Sequence, residues 1–166
     1  MFARVIRYRG APDEIGALEE EVRSAREEYE AIARRALEEV CSGRDLAGVG
    51  EVYSPDFVDH VNAMELHGQE GARRSVALYR ELFPDLRFVV EEQVSQGDRV
   101  ASRWSLHGTH RGRRVHLRGI VISRFEDGRI VEDWGASDTL ELARQLGLWR
   151  SLLLLFRHRR LLRASG

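Results

Sequence analysis

The chain has 166 residues, of which 43% are hydrophobic, and a formal net charge of −1 at pH 7. This length and apolar content suit one domain with a real core and a short appendage, and they exclude a second full domain. The near-neutral charge argues against a general nucleic-acid-binding protein, which needs a basic surface.

The composition also limits the chemistry. All 26 residues of the lysine and arginine class are arginine, which excludes Schiff-base catalysis by a lysine of this chain. The single cysteine, Cys41, cannot form an intramolecular disulfide, and residues 1–8 lack the continuous apolar core of a signal peptide. We therefore expect a cytoplasmic protein.

The N-terminal part of the sequence predicts a strand and then helices. Residues 2–8 favour a strand, and Asp13 is a suitable N-cap residue for a helix. We treat residues 1–23 as a strand–helix appendage. Residues 24–40 predict an amphipathic helix, because apolar side chains recur there at helical spacing: Tyr29, Ile32, Ala33, Ala36, Leu37 and Val40.

The rest of the sequence predicts two more helices and then mainly strands. Helices are predicted at residues 46–53 and 69–83, and strands at 57–61, 86–94, 99–110 and 114–124. Asp127 and Gly128 lie between two β-rich runs and predict a tight hairpin turn, followed by a helix at residues 139–146. Helices first and an antiparallel meander after them indicate an α+β fold.

The hairpin segment carries a family resemblance. Together with PDFVDH at residues 55–60, LFPDLRF at 82–88 and GDRVASRW at 97–104, it resembles the SnoaL-like polyketide cyclases of the nuclear transport factor 2-like superfamily. The resemblance covers residues 24–147. It implies a cone-shaped α+β barrel, in which N-terminal helices cover a curved antiparallel or mixed sheet around an internal pocket. It also implies catalysis without a metal or an organic cofactor.

Two aspartates compete for the role of acid and base. The resemblance assigns that role to Asp138, at the end of the last strand, where partial withdrawal from water would raise the carboxyl pKa. Asp138 would otherwise be the N-cap of the helix at residues 139–146. Asp133 is the rival carboxylate. The predicted hairpin places Asp133 and Asp138 on opposite faces of the sheet, so only one of them should reach the pocket.

The strand at residues 99–110 places Arg103, Ser105 and His107 on one face. On an outer surface these would be ordinary solvated side chains. In the related limonene-epoxide hydrolases this strand carries an Arg-x-Asp pair in the pocket, and the matching positions here are Arg103 and Ser105. Because serine replaces that aspartate, an epoxide-hydrolase mechanism would lose one of its three charged groups.

Histidine and aromatic residues complete the candidate site. His60 lies where the family often has a histidine at the pocket mouth, and it would hydrogen-bond an enolate oxygen or simply brace a loop. The histidine spacing and the lone cysteine do not form a metal signature. Four aromatic side chains are candidates for the pocket wall as well as for the core: Trp104, Trp134, Tyr53 and Tyr79.

Residues 148–166 carry five arginines and no acidic residue, and their leucines favour a basic amphipathic tail. Such a tail is too short and too charged to span a bilayer. We expect it to pack on the domain or on the partner in a homodimer. The less favoured alternative is peripheral contact with a membrane.

The leading hypothesis is a small cofactor-independent cyclase or isomerase of natural-product biosynthesis, acting on an apolar or polycyclic metabolite that carries carbonyl groups. Asp138, His60 and His107 would carry the catalysis. Seven residues would bind the substrate: Arg103, Ser105, Trp104, Trp134, Asp133, Tyr53 and Tyr79. The alternatives are a non-catalytic module for ligand binding or dimerisation, and an epoxide-hydrolase-like enzyme with a reduced set of charges.

Overall fold

The computed structural model describes residues 12–62 and 64–147. Its helices are α1 (Pro12–Arg35), α2 (Val49–Val52), α3 (Gly68–Leu82) and α4 (Thr139–Leu146), and a π-helical segment, Ala36–Cys41, continues α1. Its strands are β1 (Tyr53–Val61), β2 (Met64–His67), β3 (Arg87–Gln96), β4 (Arg99–His110), β5 (Arg113–Glu126) and β6 (Arg129–Ser137). The strand predicted at residues 2–8 and the tail at residues 148–166 lie outside the described residues.

The six strands form one mixed, curved sheet in the order β2-β1-β6-β5-β4-β3. Only β1 and β6 run parallel, and the other neighbours are antiparallel. The predicted α+β fold with N-terminal helices is confirmed. The sheet is curved but does not close into the expected cone-shaped barrel, because β2 and β3 remain two separate edges.

The first strand begins earlier than predicted. Residue 53 already belongs to β1, so the predicted helix at residues 46–53 shrinks to the four residues of α2. The pairing of β1 with β6 shifts register between Tyr53 and Val58, and Pro55, which has no N–H to donate, lies within that irregular stretch. Strand β2 was not predicted. It has four residues and follows a turn in which Asn62 adopts a positive φ of 53°.

The hairpin between β5 and β6 forms as predicted. Asp127 and Gly128 both have positive φ, at 49° and 71°, which is the backbone geometry of a two-residue type I′ turn. Such a turn matches the twist of the flanking strands, and it sets the first pairs, Glu126 with Arg129 and Phe125 with Ile130. Beyond these pairs the register shifts by one residue, because Arg124 is paired with Glu132, so the placement of Asp133 on the inner face depends on this β-bulge as well as on the turn.

The hydrophobic core lies between the inner face of the sheet and the helices. One cluster joins α1 and the π-helical segment to β1, β4, β5 and β6, with Val40, Phe57 and Phe125 at its centre. A second cluster joins Leu37 and Phe83 to β3, β4, β5 and Leu146 of α4. Within the described residues, no helix combines the length and apolar character needed to cross a bilayer.

Gly119 is required by the packing of Trp104. A Cβ atom at residue 119 would overlap the Trp104 ring and would lie 2.6 Å from the carbonyl oxygen of Ala136. Gly119→Ala is therefore expected to lower the free energy of unfolding by about 1–3 kcal/mol, as overpacking of a core does. Urea denaturation measures this loss. Gly16→Ala is the control, because nothing lies within 4 Å of a Cβ there and alanine should stabilise α1. Equal stability of Gly119→Ala and the wild type would contradict the packing argument.

Candidate functional site

Two carboxyl groups lie side by side on the inner face of the sheet. Asp59 of β1 is paired with Asp133 of β6, and Asp133 is paired with Ser123 of β5, so the three residues form one row across adjacent strands. Asp133 is only 8% exposed and Ser123 only 2%. We call these three residues, together with Cys41 and Tyr53, the interior polar cluster.

Burial changes the acidity of Asp133. Removal from water, with a smaller contribution from the charge of Asp59, raises the pKa of the Asp133 carboxyl to about 8, although a hydrogen bond from Ser123 opposes the shift. The Oδ1 atom of Asp133 is buried and has no hydrogen-bond partner among residues 12–62 and 64–147. An unpaired buried oxygen is costly, so it is a natural contact point for a ligand or a water molecule.

Asp59 is also shifted, but less. Burial raises the pKa of Asp59 to about 6, and the neighbouring His60 opposes the shift. The two carboxyl groups therefore differ in pKa, so at pH 7 Asp133 is mainly protonated and Asp59 is mainly ionised. A pair of carboxyl groups whose environments separate their pKa values can divide the roles of acid and base.

Cys41 and Tyr53 form the helix side of the cluster. The Cys41 Sγ and the Tyr53 hydroxyl oxygen are 3.6 Å apart. Burial raises the pKa of Cys41 to about 12 and the pKa of Tyr53 well above its ordinary value. Both groups stay neutral at pH 7, so Cys41 is not a thiolate nucleophile. They can act as neutral hydrogen-bonding groups beside the two carboxyls.

An apolar cavity of about 160 Å³ lies on the same face of the sheet, and none of the five cluster residues lines it. Six leucines of α3, α4, β2 and β5 line it, and Asn62, Ser75 and Ser137 add polar atoms. Tyr79 lies in the same wall. Its pKa is raised to about 12, mainly by burial and then by the charge of Asp59.

Asp138 lies on the other side of the sheet from Asp133. It directly follows β6, is exposed, and its Oδ1 accepts a hydrogen bond of 2.9 Å from the backbone N–H of Glu141, which makes it the N-cap of α4. It borders an outer groove of about 360 Å³ with His116 and Arg118. The hairpin thus separates the two aspartates by face, and the structure places Asp133 inside.

Helix α4 is attached to the sheet through Gln145. Strand β6 ends opposite Gly119, so the backbone of His116 lies beyond the reach of β6. The Gln145 side chain takes the place of a strand there, because its Oε1 accepts from the His116 N–H at 2.9 Å and its Nε2 donates to the His116 carbonyl at 2.7 Å. These two bonds hold Leu142 and Leu146 in the cavity wall.

The alternation of β4 separates its candidate residues. Arg103 and His107 are exposed on the outer face, where Arg103 pairs with Glu91 and, at 3.2 Å, with Glu92. Ser105 shares that face, and its Oγ lies 3.3 Å from Nε2 of His107. Trp104 points inward and is 5% exposed. Arg103, Ser105 and His107 therefore do not meet the interior polar cluster.

His60 and Trp134 also lie on the outer face. The rings stack with centroids 5.7 Å apart, and His60 is held by Glu132 at 2.9 Å and by Glu65 at 3.1 Å. Of the sequence candidates, the inner face therefore holds Asp133, Tyr53, Tyr79 and Trp104. The outer face holds the other six: Asp138, His60, His107, Arg103, Ser105 and Trp134.

Sequence reasoning missed Asp59, Ser123 and Cys41 as site residues. A signal for Asp59 was present, because strand alternation puts Asp59 on the same face as the buried Phe57. In the described part of the chain, no group of three or more histidine, cysteine or acidic side chains is arranged to hold a metal ion.

Several solved structures are similar to this chain. A proposed polyketide cyclase from Bacillus cereus is 29% identical, with a TM-score of 0.67 over 73% of this chain and 81% of that one. IdmH, a proposed polyketide cyclase from Streptomyces antibioticus, is 30% identical, with a TM-score of 0.61 over 72% of this chain and 98% of that one. AclR, a proposed hydroxylase from Streptomyces galilaeus, is 27% identical, with a TM-score of 0.63 over 74% of this chain and 97% of that one.

No curated protein sequence matches the chain. The family model of the SnoaL-like polyketide cyclases matches residues 31–146. That match includes all six strands of the described sheet and every residue of the interior polar cluster. Both the sequence match and the fold confirm the resemblance expected from the sequence, and the chain belongs to the SnoaL-like polyketide cyclase family.

Proposed function

We propose that the interior polar cluster performs acid–base catalysis on an apolar, carbonyl-bearing substrate of the polyketide type and closes a ring by an intramolecular aldol reaction. The buried carboxyl of Asp133, with a pKa of about 8 beside the more acidic Asp59, carries this proposal. A protonated acid and an ionised base at neutral pH are the two groups that enolisation requires.

The proposed reaction starts with proton removal. The Asp59 carboxylate takes a proton from the carbon next to a substrate carbonyl, and Asp133 donates its proton to the oxygen of that carbonyl, which leaves an enol. The enol carbon then attacks a second carbonyl carbon of the same molecule and forms the new carbon–carbon bond. Asp59 returns its proton to the resulting alkoxide, and Asp133 recovers its proton from the enol hydroxyl. Both carboxyls end as they began, and no oxidant or cofactor is consumed.

The cavity supports an apolar substrate and limits how it can bind. Pockets for drug-sized ligands usually measure about 300–1,000 Å³, whereas the apolar cavity has about 160 Å³ and is not lined by Asp59 or Asp133. A polycyclic metabolite therefore requires the walls formed by α3 and α4 to separate. The same small volume favours the second candidate function, a module that binds a small ligand without reaction.

Exchange of carbon-bound hydrogen tests the proposed chemistry without knowledge of the natural substrate. The protein is incubated in D2O with a synthetic aryl β-keto ester, and deuterium at the carbon between the two carbonyls is followed by NMR. We expect protein-dependent incorporation above the buffer rate. Saturable binding of the ester with no added exchange would overturn the catalytic proposal and favour the binding module.

We also propose that the protein is a cytoplasmic homodimer. The outer face of β5 exposes two large apolar side chains, Ile120 at 51% and Ile122 at 39%, which suit a contact between two copies. Light scattering should give twice the mass of one chain, and the mass should halve in Ile120→Asp. A monomeric wild type would contradict this assembly.

A further inference from the structure

We propose that a groove on the outer face of the sheet binds the phosphate group of a small molecule. Three adjacent strands place basic side chains opposite one another there, because Arg87 of β3 is paired with His107 of β4, and His107 is paired with His116 of β5. Arg114 lies two residues before His116 and shares its face. Four side chains that can donate to an oxyanion therefore converge from three rigid strands.

The groove has a volume of about 500 Å³, and these four side chains line it together with Asp85 and Thr109. Asp85 does not neutralise the arginines by an ion pair. Its two carboxylate oxygens accept from the backbone N–H of Thr109 at 2.5 Å and from the Thr109 hydroxyl at 2.7 Å. These bonds lower the pKa of Asp85 and fix it at the groove wall.

The basic groups of the groove lack partners of opposite charge. Among the described residues, no acidic side chain forms an ion pair with Arg87 or Arg114. The rings of His107 and His116 stack 4.7 Å apart. The pKa of His116 is lowered by burial, then by His107 and Arg118, although the charge of Glu91 opposes the shift. Binding of an anion would relieve this repulsion.

The chemistry of these donors matches phosphate. A guanidinium presents a planar fork of N–H donors to phosphate oxygens, and charge-assisted hydrogen bonds of this kind are about twice as strong as neutral ones. The three strands span about 10 Å, since neighbouring strands lie about 4.8 Å apart. Arginine and histidine side chains can reach one tetrahedral anion from both sides of a groove of this width. The groove is too small for a nucleic-acid duplex.

The groove is separate from the other proposed sites. It lies on the face opposite Asp59 and Asp133. Ile120 lies four residues beyond His116 along β5, a distance of about 13 Å in a strand, and neither isoleucine of the proposed dimer contact is among the residues that line the groove. The phosphate proposal therefore does not depend on the acid–base proposal, and a result that overturns one of them does not affect the other.

NMR titration of the full chain with inorganic phosphate tests the site, at constant ionic strength set by sodium chloride. We expect saturable shifts of the His107 and His116 ring signals. Affinity should fall about tenfold or more in Arg87→Gln and in Arg114→Gln, because each removes a charge-assisted donor. Arg129→Gln is the matched control, an exposed strand arginine on β6, and should bind as the wild type does.

A phenyl phosphate titration distinguishes the two sources of the anion. Tighter binding than inorganic phosphate would identify a phosphomonoester as the ligand, and equal binding would identify the free anion. Absence of saturable shifts in the wild type would overturn the proposal. Equal loss of affinity in Arg87→Gln and Arg129→Gln would do the same, because it would indicate only a general effect of surface charge.

Discussion

Asp133→Asn is expected to lower kcat/KM for deuterium exchange into the aryl β-keto ester by about 100-fold or more, with little change in KM. Asparagine has nearly the shape of aspartate and can still accept the hydrogen bond from Ser123, but its amide cannot transfer a proton. The loss should therefore fall on kcat, the term that depends on proton transfer. Steady-state rates in D2O near neutral pH measure it.

Asp138→Asn is the matched control, with the same chemical change five residues along the chain. Asparagine caps helices about as well as aspartate, so α4 should keep its N-cap and the rate should stay close to that of the wild type. The double variant with Asp59→Asn and Asp133→Asn should lose little more activity than either single variant, because the effects of substituting residues that act as a unit are not additive. Full activity in Asp133→Asn with loss in Asp138→Asn would place the acid–base group on the outer face.

The contribution of Asp133 to the free energy of unfolding is expected to fall as the pH rises from about 4 to about 8. An aspartate in an unfolded chain has a pKa of about 3.9, whereas burial raises the pKa of Asp133 to about 8 in the folded protein. Between these values the folded state keeps a proton that the unfolded state has released. Stability is therefore greatest below the unfolded pKa and is lost toward the folded pKa, at up to about 1.4 kcal/mol per pH unit. Asp59, with its pKa near 6, adds to the loss in the lower part of the range.

Urea denaturation between pH 5 and pH 8, followed by tryptophan fluorescence, measures this dependence. Asp133→Asn should remove most of the slope, because asparagine has no proton to release. Asp138→Asn should retain the slope, since Asp138 is exposed and acts only as a cap. A slope that is unchanged in Asp133→Asn would mean that Asp133 is not the buried, protonated carboxyl.

Local sequence signals predicted much of the fold. The Asp127-Gly128 turn, the alternation of β4 and the helix after Asp138 all depend on neighbouring residues, and each forms where it was expected. Strand β2 escaped prediction because four residues are too few for a periodic pattern, and it exists through pairing with β1. The start of β1 was hidden because Pro55 interrupts the strand pattern.

The site was harder to predict because it depends on contacts between distant residues. Asp59 and Asp133 meet only through the parallel pairing of β1 with β6, which are separated in sequence by four other strands. Parallel strands are not joined by a short turn, so the sequence contains no local signal for this pairing. The choice between Asp133 and Asp138 depended on which face the helices cover, and that follows from the packing of α1 and α3 rather than from the hairpin itself.

The attachment of α4 has a consequence for substrate entry. One amide side chain, Gln145, holds to the sheet a helix that forms part of the cavity wall. Each such bond contributes about 1 kcal/mol net, and the burial of Leu146 in the core adds about 1.5–3 kcal/mol, so releasing the helix costs about 3.5–5 kcal/mol. A ligand that buries about 200 Å² of apolar surface gains about 5 kcal/mol, enough to offset that cost. The helix can therefore act as a gate that the hydrophobicity of the ligand itself opens, and molecules too polar to supply that energy would be kept out.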